Sequence, residues 1–142
     1  MKRRKTYFFI LLVLLTALVF SCNEKFNDEG TRYNNSNFPA VGNTVNAFAF
    51  AVTANNFSFS EKYPVTFNSG SIILGLTVTN LRRGTGHLDF INAGDTVYYS
   101  VPLSNNLAYG NVEITGGTPR WIKINLIDYT GQVSIGVSAK YF

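Results

Sequence analysis

The stretch SIILGLTVTNL, residues 71–81, decides the fold. Its apolar residues recur at every second position: Ile72, Leu74, Leu76 and Val78. This alternation predicts a β-strand with one face in a core. Ile73 adds an apolar residue on the opposite face, which is typical of a strand that is covered on both sides. We therefore expect residues 71–81 to form the central strand of a sheet.

The same alternation continues before and after this strand. Further segments with apolar residues at every second position are Thr44–Thr53, Phe57–Phe67, Leu88–Phe90, Val97–Leu103, Val112–Ile114, Ile122–Leu126 and Val133–Ala139. Turn-forming residues separate them at Arg82–Gly86, Asn92–Asp95, Ser104–Asn111, Gly116–Pro119 and Thr130–Gln132. Residues 57–67 are one long strand or two short ones. They belong at a sheet edge, because Pro64 cannot donate a ladder hydrogen bond.

This succession of alternating segments and turns predicts an all-β domain over residues 41–142, with about seven to nine strands and no helix of useful length. The expected fold is a single antiparallel β-sandwich, immunoglobulin-like or jelly-roll, and an up-and-down barrel is the alternative. The spacing of the turns along the sequence resembles that of immunoglobulin-like and fibronectin-like domains. The cysteine pair and tyrosine corner of true immunoglobulin domains are absent from the sequence. The topology therefore stays open.

The first residues have the three-part pattern of a secretory signal. Lys2–Lys5 is basic, and Tyr7–Phe20 is apolar except for Thr16. At about 1.5 Å per residue this apolar run would be roughly 21 Å long as a helix, against a hydrocarbon core of about 30 Å. A cleaved signal is therefore favoured over a retained transmembrane helix. We expect residues 1–21 to be removed and the rest of the chain to be exported.

The end of this segment, Val19-Phe20-Ser21-Cys22, resembles the lipobox of bacterial lipoproteins. The resemblance implies that the Cys22 thiol carries diacylglycerol, that the signal is cut just before it, and that the new amine is acylated, typically with palmitate. Cys22 is the only cysteine, so an intramolecular disulfide is excluded. Two or three acyl chains bind a membrane much more strongly than a single chain, which binds only marginally. The expected partner is thus the membrane, through a covalent lipid on Cys22.

Residues 22–40 predict the acylated cysteine followed by a flexible linker, because they show neither strand nor helix periodicity. Asn23 after the cysteine fits release to the outer membrane in the best-studied lipoproteins. Glu24, Asp28 and Glu29 loosely resemble the acidic patch that some Gram-negative phyla use for surface display, and a solvated linker is the plain alternative. We expect the protein to be located in the cell envelope, on the outer membrane, where it faces either the periplasm or the cell surface.

Charge argues against a nucleic-acid partner. The chain has 12 Lys and Arg residues and 8 Asp and Glu residues, giving a formal net charge of +4. Four of the cations are Lys2–Lys5, inside the predicted signal, so the exported part is neutral. The basic isoelectric point of the whole chain therefore describes the signal, and no nucleic-acid partner is expected.

The sequence predicts no enzyme. His87, the only histidine, lies two residues before Asp89, and Ser100 and Ser104 lie elsewhere, so nothing requires a nucleophile and its base to converge. With one histidine and one cysteine, a zinc site of standard ligands is excluded, and no metal or other cofactor is expected. Arg82 and Arg83 could bind an anionic ligand, but two arginines at a turn are usually solvated.

Three aromatic residues provide the binding hypothesis: Tyr98, Tyr109 and Trp121. Exposed rings can stack on sugars or anchor a protein, although single surface aromatics commonly pack over the end of a domain. The leading hypothesis is a membrane-anchored lipoprotein whose small domain is a non-catalytic binding or structural module with an envelope protein or glycan partner. The alternatives are a glycan-binding accessory lipoprotein that uses these aromatics, and a small envelope hydrolase that would depend on Asp89 or His87.

Overall fold

The computed structural model describes residues 36–141, and the predicted signal, Cys22 and the linker up to residue 35 lie outside them. The described chain is all-β and forms one antiparallel sheet. Its six strands are β1 (Ala40–Thr44), β2 (Ala47–Pro64), β3 (Ile72–Ile91), β4 (Val97–Pro102), β5 (Leu107–Ile114) and β6 (Trp121–Ala139). The sheet order is β1-β2-β6-β3-β4, and β5 also pairs with β3. The predicted all-β class is confirmed, but six strands replace the expected seven to nine.

The strand count is lower because β2, β3 and β6 are 18, 20 and 19 residues long. Each continues through a break that the sequence placed between two shorter strands. The turns predicted at Arg82–Gly86 and Thr130–Gln132 are therefore wrong, since β3 and β6 run through them. Turn-forming residues at these places bend a strand without reversing it.

The bends lie side by side across three neighbouring strands. Register shifts occur in β2 between Ala54 and Phe59 and in β3 between Thr79 and Thr85, both opposite the middle of β6. Asn56, Asn80 and Asp128 have φ angles of 50°, 54° and 48°, and Gly84 has a φ of 96°. Asn, Asp and Gly tolerate this left-handed backbone, and the extra residue of a bulge bends a strand. We call this line of four residues the crease.

At the crease β2 doubles back on itself. Phe48 and Tyr63 lie near opposite ends of β2, yet their ring centroids are 5.4 Å apart. Fifteen residues of straight strand would separate them by about 50 Å. The Asn46 N–H also donates a 2.8 Å hydrogen bond to the Thr66 carbonyl oxygen, which ties the two ends of the strand together. Residues near the two ends of β2 are therefore in contact with each other.

The predicted strand faces are confirmed for β3 and the first part of β2. There the side chains that the alternation placed in the core are at most 5% exposed: Phe48, Phe50, Val52, Ile72, Leu74, Leu76 and Val78. In β4 the prediction is wrong for Val97, which is 48% exposed. β3 pairs with β6 on one side and with β5 and β4 on the other, as expected for a central strand. Residues 57–64 of β2 pair with β6 alone, so the predicted edge position of Pro64 is also confirmed.

Three boundaries differ from the prediction. The strand expected at Thr44–Thr53 is a hairpin of β1 and β2, in which Asn46 has a φ of 65°. The loop expected at Ser104–Asn111 ends earlier, because β5 begins at Leu107 and pairs with β3. Residues assigned to the linker also contact the sheet, since the Asn37 N–H donates a 2.7 Å hydrogen bond to the Thr53 carbonyl oxygen. The breaks at Asn92–Asp95 and Gly116–Pro119 occur as expected.

Candidate functional site

Trp121 lies half-buried on an outer surface of the sheet that carries mostly polar side chains. The Lys62 ammonium sits 4.9 Å from the centroid of the Trp121 ring and forms an ion pair with Asp95. The strand register places Lys123 directly beside Lys62, and Asp89 lies on the other side of Lys123 in the same row. We call this surface, around Trp121, Lys62, Lys123 and Asp89, the polar face. It offers one aromatic ring among cations and hydrogen-bonding groups.

Tyr98 is not the exposed ring that a stacking role requires. Its side chain is half-buried and packs against the core, and a Cβ on Gly117 would lie 3.5 Å from the Tyr98 ring. The Tyr98 hydroxyl is buried and has no hydrogen-bond partner among the described residues. Burial raises the pKa of Tyr98 to about 12. The ring therefore covers the edge of the core.

Tyr109 is 40% exposed, but it lies on a different part of the sheet from the other two aromatics. Its partner in the register is Leu76, in the first part of β3. Trp121 pairs with Ile91, at the far end of β3 beyond the crease. The structure therefore does not bring Tyr98, Tyr109 and Trp121 together into one aromatic patch.

Of the polar residues considered for catalysis, only Ser100 and Asp89 are hydrogen-bonded to each other in the described part of the chain. The Ser100 hydroxyl donates a 2.5 Å hydrogen bond to the Asp89 carboxylate. No hydrogen bond joins His87 to either residue within the described part of the chain, although His87 shares their face of β3. A triad needs the histidine between the nucleophile and the carboxylate, whereas here the carboxylate binds the serine directly.

The opposite part of the sheet has an outer surface made of very small side chains. In β2 and β6 the exposed positions are Ala47, Ala49, Ala51, Ser134, Gly136 and Ser138. The register continues them onto β3, where Gly75 is paired with Gly136 and Thr77 with Ser134. We call this surface the small-residue face. Its side chains project little above the backbone, so a ligand can approach the sheet closely.

A groove of about 640 Å³ opens on the small-residue face. Its floor includes Ala51 and Ser134, and its walls include Phe38, which is 74% exposed. Hydroxyl and amide groups line it as well, from Thr53, Thr77, Thr79 and Gln132. The Thr79 hydroxyl and the Gln132 side-chain oxygen are already joined by a 3.2 Å hydrogen bond. The groove combines one exposed aromatic ring with several small side chains and hydroxyls.

Sequence reasoning missed this groove for a physical reason. By alternation Ala47, Ala49 and Ala51 lie on the strand face opposite Phe48, Phe50 and Val52, but the sequence does not show which residues lie beside them in the sheet. The surface exists only because the register places Ser134 and Gly136 beside them. Phe38 was assigned to the linker, and it reaches the groove because Ser36 and Asn37 bind Thr53.

Two further observations bear on the site. Among residues 36–141, no group of three or more His, Cys, Asp or Glu side chains could hold a metal ion. In the same residues no helix is long and apolar enough to cross a bilayer.

Comparison with known proteins adds no assignment. No family model matches the chain, and no curated protein matches it significantly.

Proposed function

We propose that this protein is a lipid-anchored protein of the bacterial cell envelope, and that its folded sheet is a non-catalytic binding module. Cys22 carries the lipid in this proposal, and the mature chain begins there. We also propose that the two parts of the sheet on either side of the crease form the layers of a β-sandwich. The contact between Phe48 and Tyr63 supports this arrangement, because it joins the inner faces of the two parts.

The groove on the small-residue face is the observation that carries the binding role. A face of Ala, Ser and Gly leaves the backbone of β2 and β6 accessible to a flat partner. Phe38 supplies apolar contact area at one wall, and the hydroxyls of Thr53 and Thr77 can fix the orientation of what binds. A Cβ added at Gly136 would meet no atom within 4 Å beyond its chain neighbours, so packing does not explain the glycine there.

Chain geometry connects the groove with the proposed anchor. Ser36, the first described residue, pairs with Thr53 beside the groove. Cys22 precedes Ser36 by fourteen residues, which span at most about 50 Å when fully extended. The groove is therefore held within about 50 Å of the lipid, close enough to act on a partner at the same membrane.

Metabolic labelling tests the anchor. Cells that express the wild type and receive a labelled fatty acid should incorporate it into the protein, and Cys22→Ala should incorporate none. Ser21→Ala is the matched control, because it keeps a small residue before the cysteine and should be labelled like the wild type. Equal labelling of the wild type and Cys22→Ala would reject the anchor.

Blocking the groove tests the binding role. Ala51→Arg places a long cation on the small-residue face without touching the core, because Ala51 is exposed. Ser60→Arg is the control, since Ser60 is exposed on the part of β2 beyond the crease. Proteins cross-linked to the wild type on intact cells should be lost from Ala51→Arg and kept by Ser60→Arg. An identical cross-linking pattern for all three proteins would contradict a role of the groove.

A glycan-binding accessory role is the second candidate, and the polar face favours it. A half-buried Trp121 ring beside Lys62, with Lys123 and Asp89 on the same face, combines a stacking surface with charged hydrogen-bonding groups. Affinity electrophoresis in gels that contain envelope polysaccharides should show retardation of the wild type. Trp121→Ala should abolish the retardation, and Tyr109→Ala, on the other part of the sheet, should keep it. The hydrolase alternative would require that Asp89→Asn or His87→Ala remove a measured activity.

A further inference from the structure

A second concave surface lies next to the crease. It is a cleft of about 250 Å³ between β3 and the loop that joins β4 to β5. Residues 81–84 of β3 form one wall, and residues 104–106 of the loop form the other. We call it the arginine cleft, because Arg82 and Arg83 both line it.

Hydrogen bonds hold both walls of the arginine cleft in place. The Leu103 N–H donates to the Gly86 carbonyl oxygen at 2.8 Å, and the Tyr129 hydroxyl donates to the Leu103 carbonyl oxygen at 2.9 Å. At the other end of the loop the Leu81 N–H donates to the Asn106 side-chain oxygen at 2.9 Å. The loop is thus fixed to β3 and β6 at both ends, so the cleft is formed before any ligand arrives.

The lining of the cleft is rich in unused donors. Within residues 36–141, the side chains of Arg82, Ser104 and Asn105 form no hydrogen bond or ion pair, whereas the Arg83 guanidinium binds the Asn56 side-chain oxygen. None of the described residues that line the cleft is acidic. Three described residues with unpaired polar side chains, Arg82, Ser104 and Asn105, therefore line a cleft whose described lining includes no carboxylate to neutralise the cation.

We propose that the arginine cleft binds the carboxylate of an acidic sugar. A guanidinium presents a planar pair of N–H donors that matches a carboxylate, and one free cation balances one negative charge. The Ser104 hydroxyl and the Asn105 amide can both donate and accept, as the hydroxyls of a sugar ring do. The volume lies just below the range for drug-sized ligands, which suits a single sugar unit. This proposal depends neither on the anchor at Cys22 nor on the groove.

A titration followed by NMR tests the proposal. The labelled full chain in detergent micelles is titrated separately with glucuronate, glucose and inorganic phosphate, and the backbone amides of residues 81–84 and the side-chain amide of Asn105 are followed. Glucuronate should give saturable shifts at these groups. Glucose should bind at least about tenfold more weakly, because it lacks the charged partner of Arg82.

Variants assign the binding to Arg82. Arg82→Ala should weaken glucuronate binding about tenfold or more, and Arg82→Lys should recover only part of it, because lysine keeps the charge without the planar fork. Arg120→Ala is the charge-matched control, because Arg120 is exposed in the connection between β5 and β6, and it should bind like the wild type. An unchanged unfolding midpoint for Arg82→Ala shows that the variant folds, as expected for an exposed residue.

Three results would overturn the proposal. The first is the absence of a saturable shift at the cleft on addition of glucuronate. The second is glucuronate binding to Arg82→Ala that is as tight as binding to the wild type. The third result is phosphate binding that equals glucuronate binding, which would leave a general anion site and exclude recognition of the sugar. Fatty-acid labelling of Cys22 is unaffected by each of these results, so the failure of this proposal is distinct from failure of the anchor.

Discussion

Phe48 and Tyr63 belong to the same strand, and their ring centroids lie 5.4 Å apart at an interplanar angle of 46°. A second pair repeats the relationship, because the rings of Phe50 and Phe59 are 5.6 Å apart. Both pairs join the part of β2 before Asn56 to the part after it. The crease therefore lies between the two parts of β2 whose aromatic rings are in contact.

A double-mutant cycle tests this contact. Phe48→Leu and Tyr63→Leu should show a coupling energy of about 0.5–1.5 kcal/mol in urea unfolding, because each variant alone removes the ring-to-ring contact. Phe48 and Tyr109 are the control pair, since the register places β6 and β3 between their strands. The effects of substituting Phe48 and Tyr109 on the free energy of unfolding should add within about 0.5 kcal/mol. A straight β2 would give no coupling between Phe48 and Tyr63.

Gly84 is required at the crease. A Cβ at this position would lie 2.6 Å from the Tyr129 Cα and 2.7 Å from the Ile127 carbonyl oxygen, and the φ of 96° disfavours any L side chain. Gly84→Ala should lower the free energy of unfolding by about 2–4 kcal/mol. Gly136→Ala is the control. No atom lies within 4 Å of its added Cβ, so it should be neutral or stabilising by up to about 1 kcal/mol. Equal effects of the two substitutions would contradict the packing described here.

The buried hydroxyl of Tyr129 fixes the loop before β5. Tyr129 is fully buried, and its hydroxyl donates to the Leu103 carbonyl oxygen at 2.9 Å. Tyr129→Phe leaves that oxygen without this donor and should lower the free energy of unfolding by about 1–3 kcal/mol. Tyr109→Phe removes a hydroxyl from an exposed ring and should change it by less than about 0.5 kcal/mol. Thermal or urea unfolding of both variants distinguishes the two cases.

The same tyrosine makes stability depend on alkaline pH. Burial raises the pKa of Tyr129 from 10.0 to about 12. Its folded pKa is above its unfolded pKa, so the stabilisation is complete below pH 10 and is lost as pH rises towards 12. Over this interval Tyr129 should reduce the free energy of unfolding by about 1.4 kcal/mol per pH unit.

Urea unfolding at a series of alkaline pH values measures that slope. Tyr98 has a pKa raised to about 12 by burial as well, so Tyr129→Phe should reduce the slope and leave the contribution of Tyr98. A slope that is unchanged in Tyr129→Phe would show that the Tyr129 phenol ionises equally well in the folded and unfolded states.

Local patterns predicted the strand faces well, because alternation depends only on neighbouring residues. Phe48, Phe50 and Val52 were expected in the core and are buried there. The same local patterns misassigned the crease. Glycine and aspartate are common in turns, yet Gly84 in β3 and Asp128 in β6 lie within strands that continue. Only the contacts of β2, β6 and β3 with one another distinguish a bend from a turn.

The candidate sites were less predictable for the same reason. The groove depends on the register that places Ala51 beside Ser134, and the arginine cleft depends on the loop that brings Asn106 to Leu81. These pairs are far apart in the sequence. Trp121, in contrast, shares its strand face with Lys123 by alternation alone, and both side chains are half-buried on that outer face.

Mass spectrometry of the mature protein, purified from bacterial membranes, tests the central claim most directly. The account predicts an N-terminal peptide that begins at Cys22 and carries the added mass of a diacylglycerol, with or without a further acyl chain on its amine. An unmodified Cys22, within a mature chain that begins at another residue, would contradict the claim.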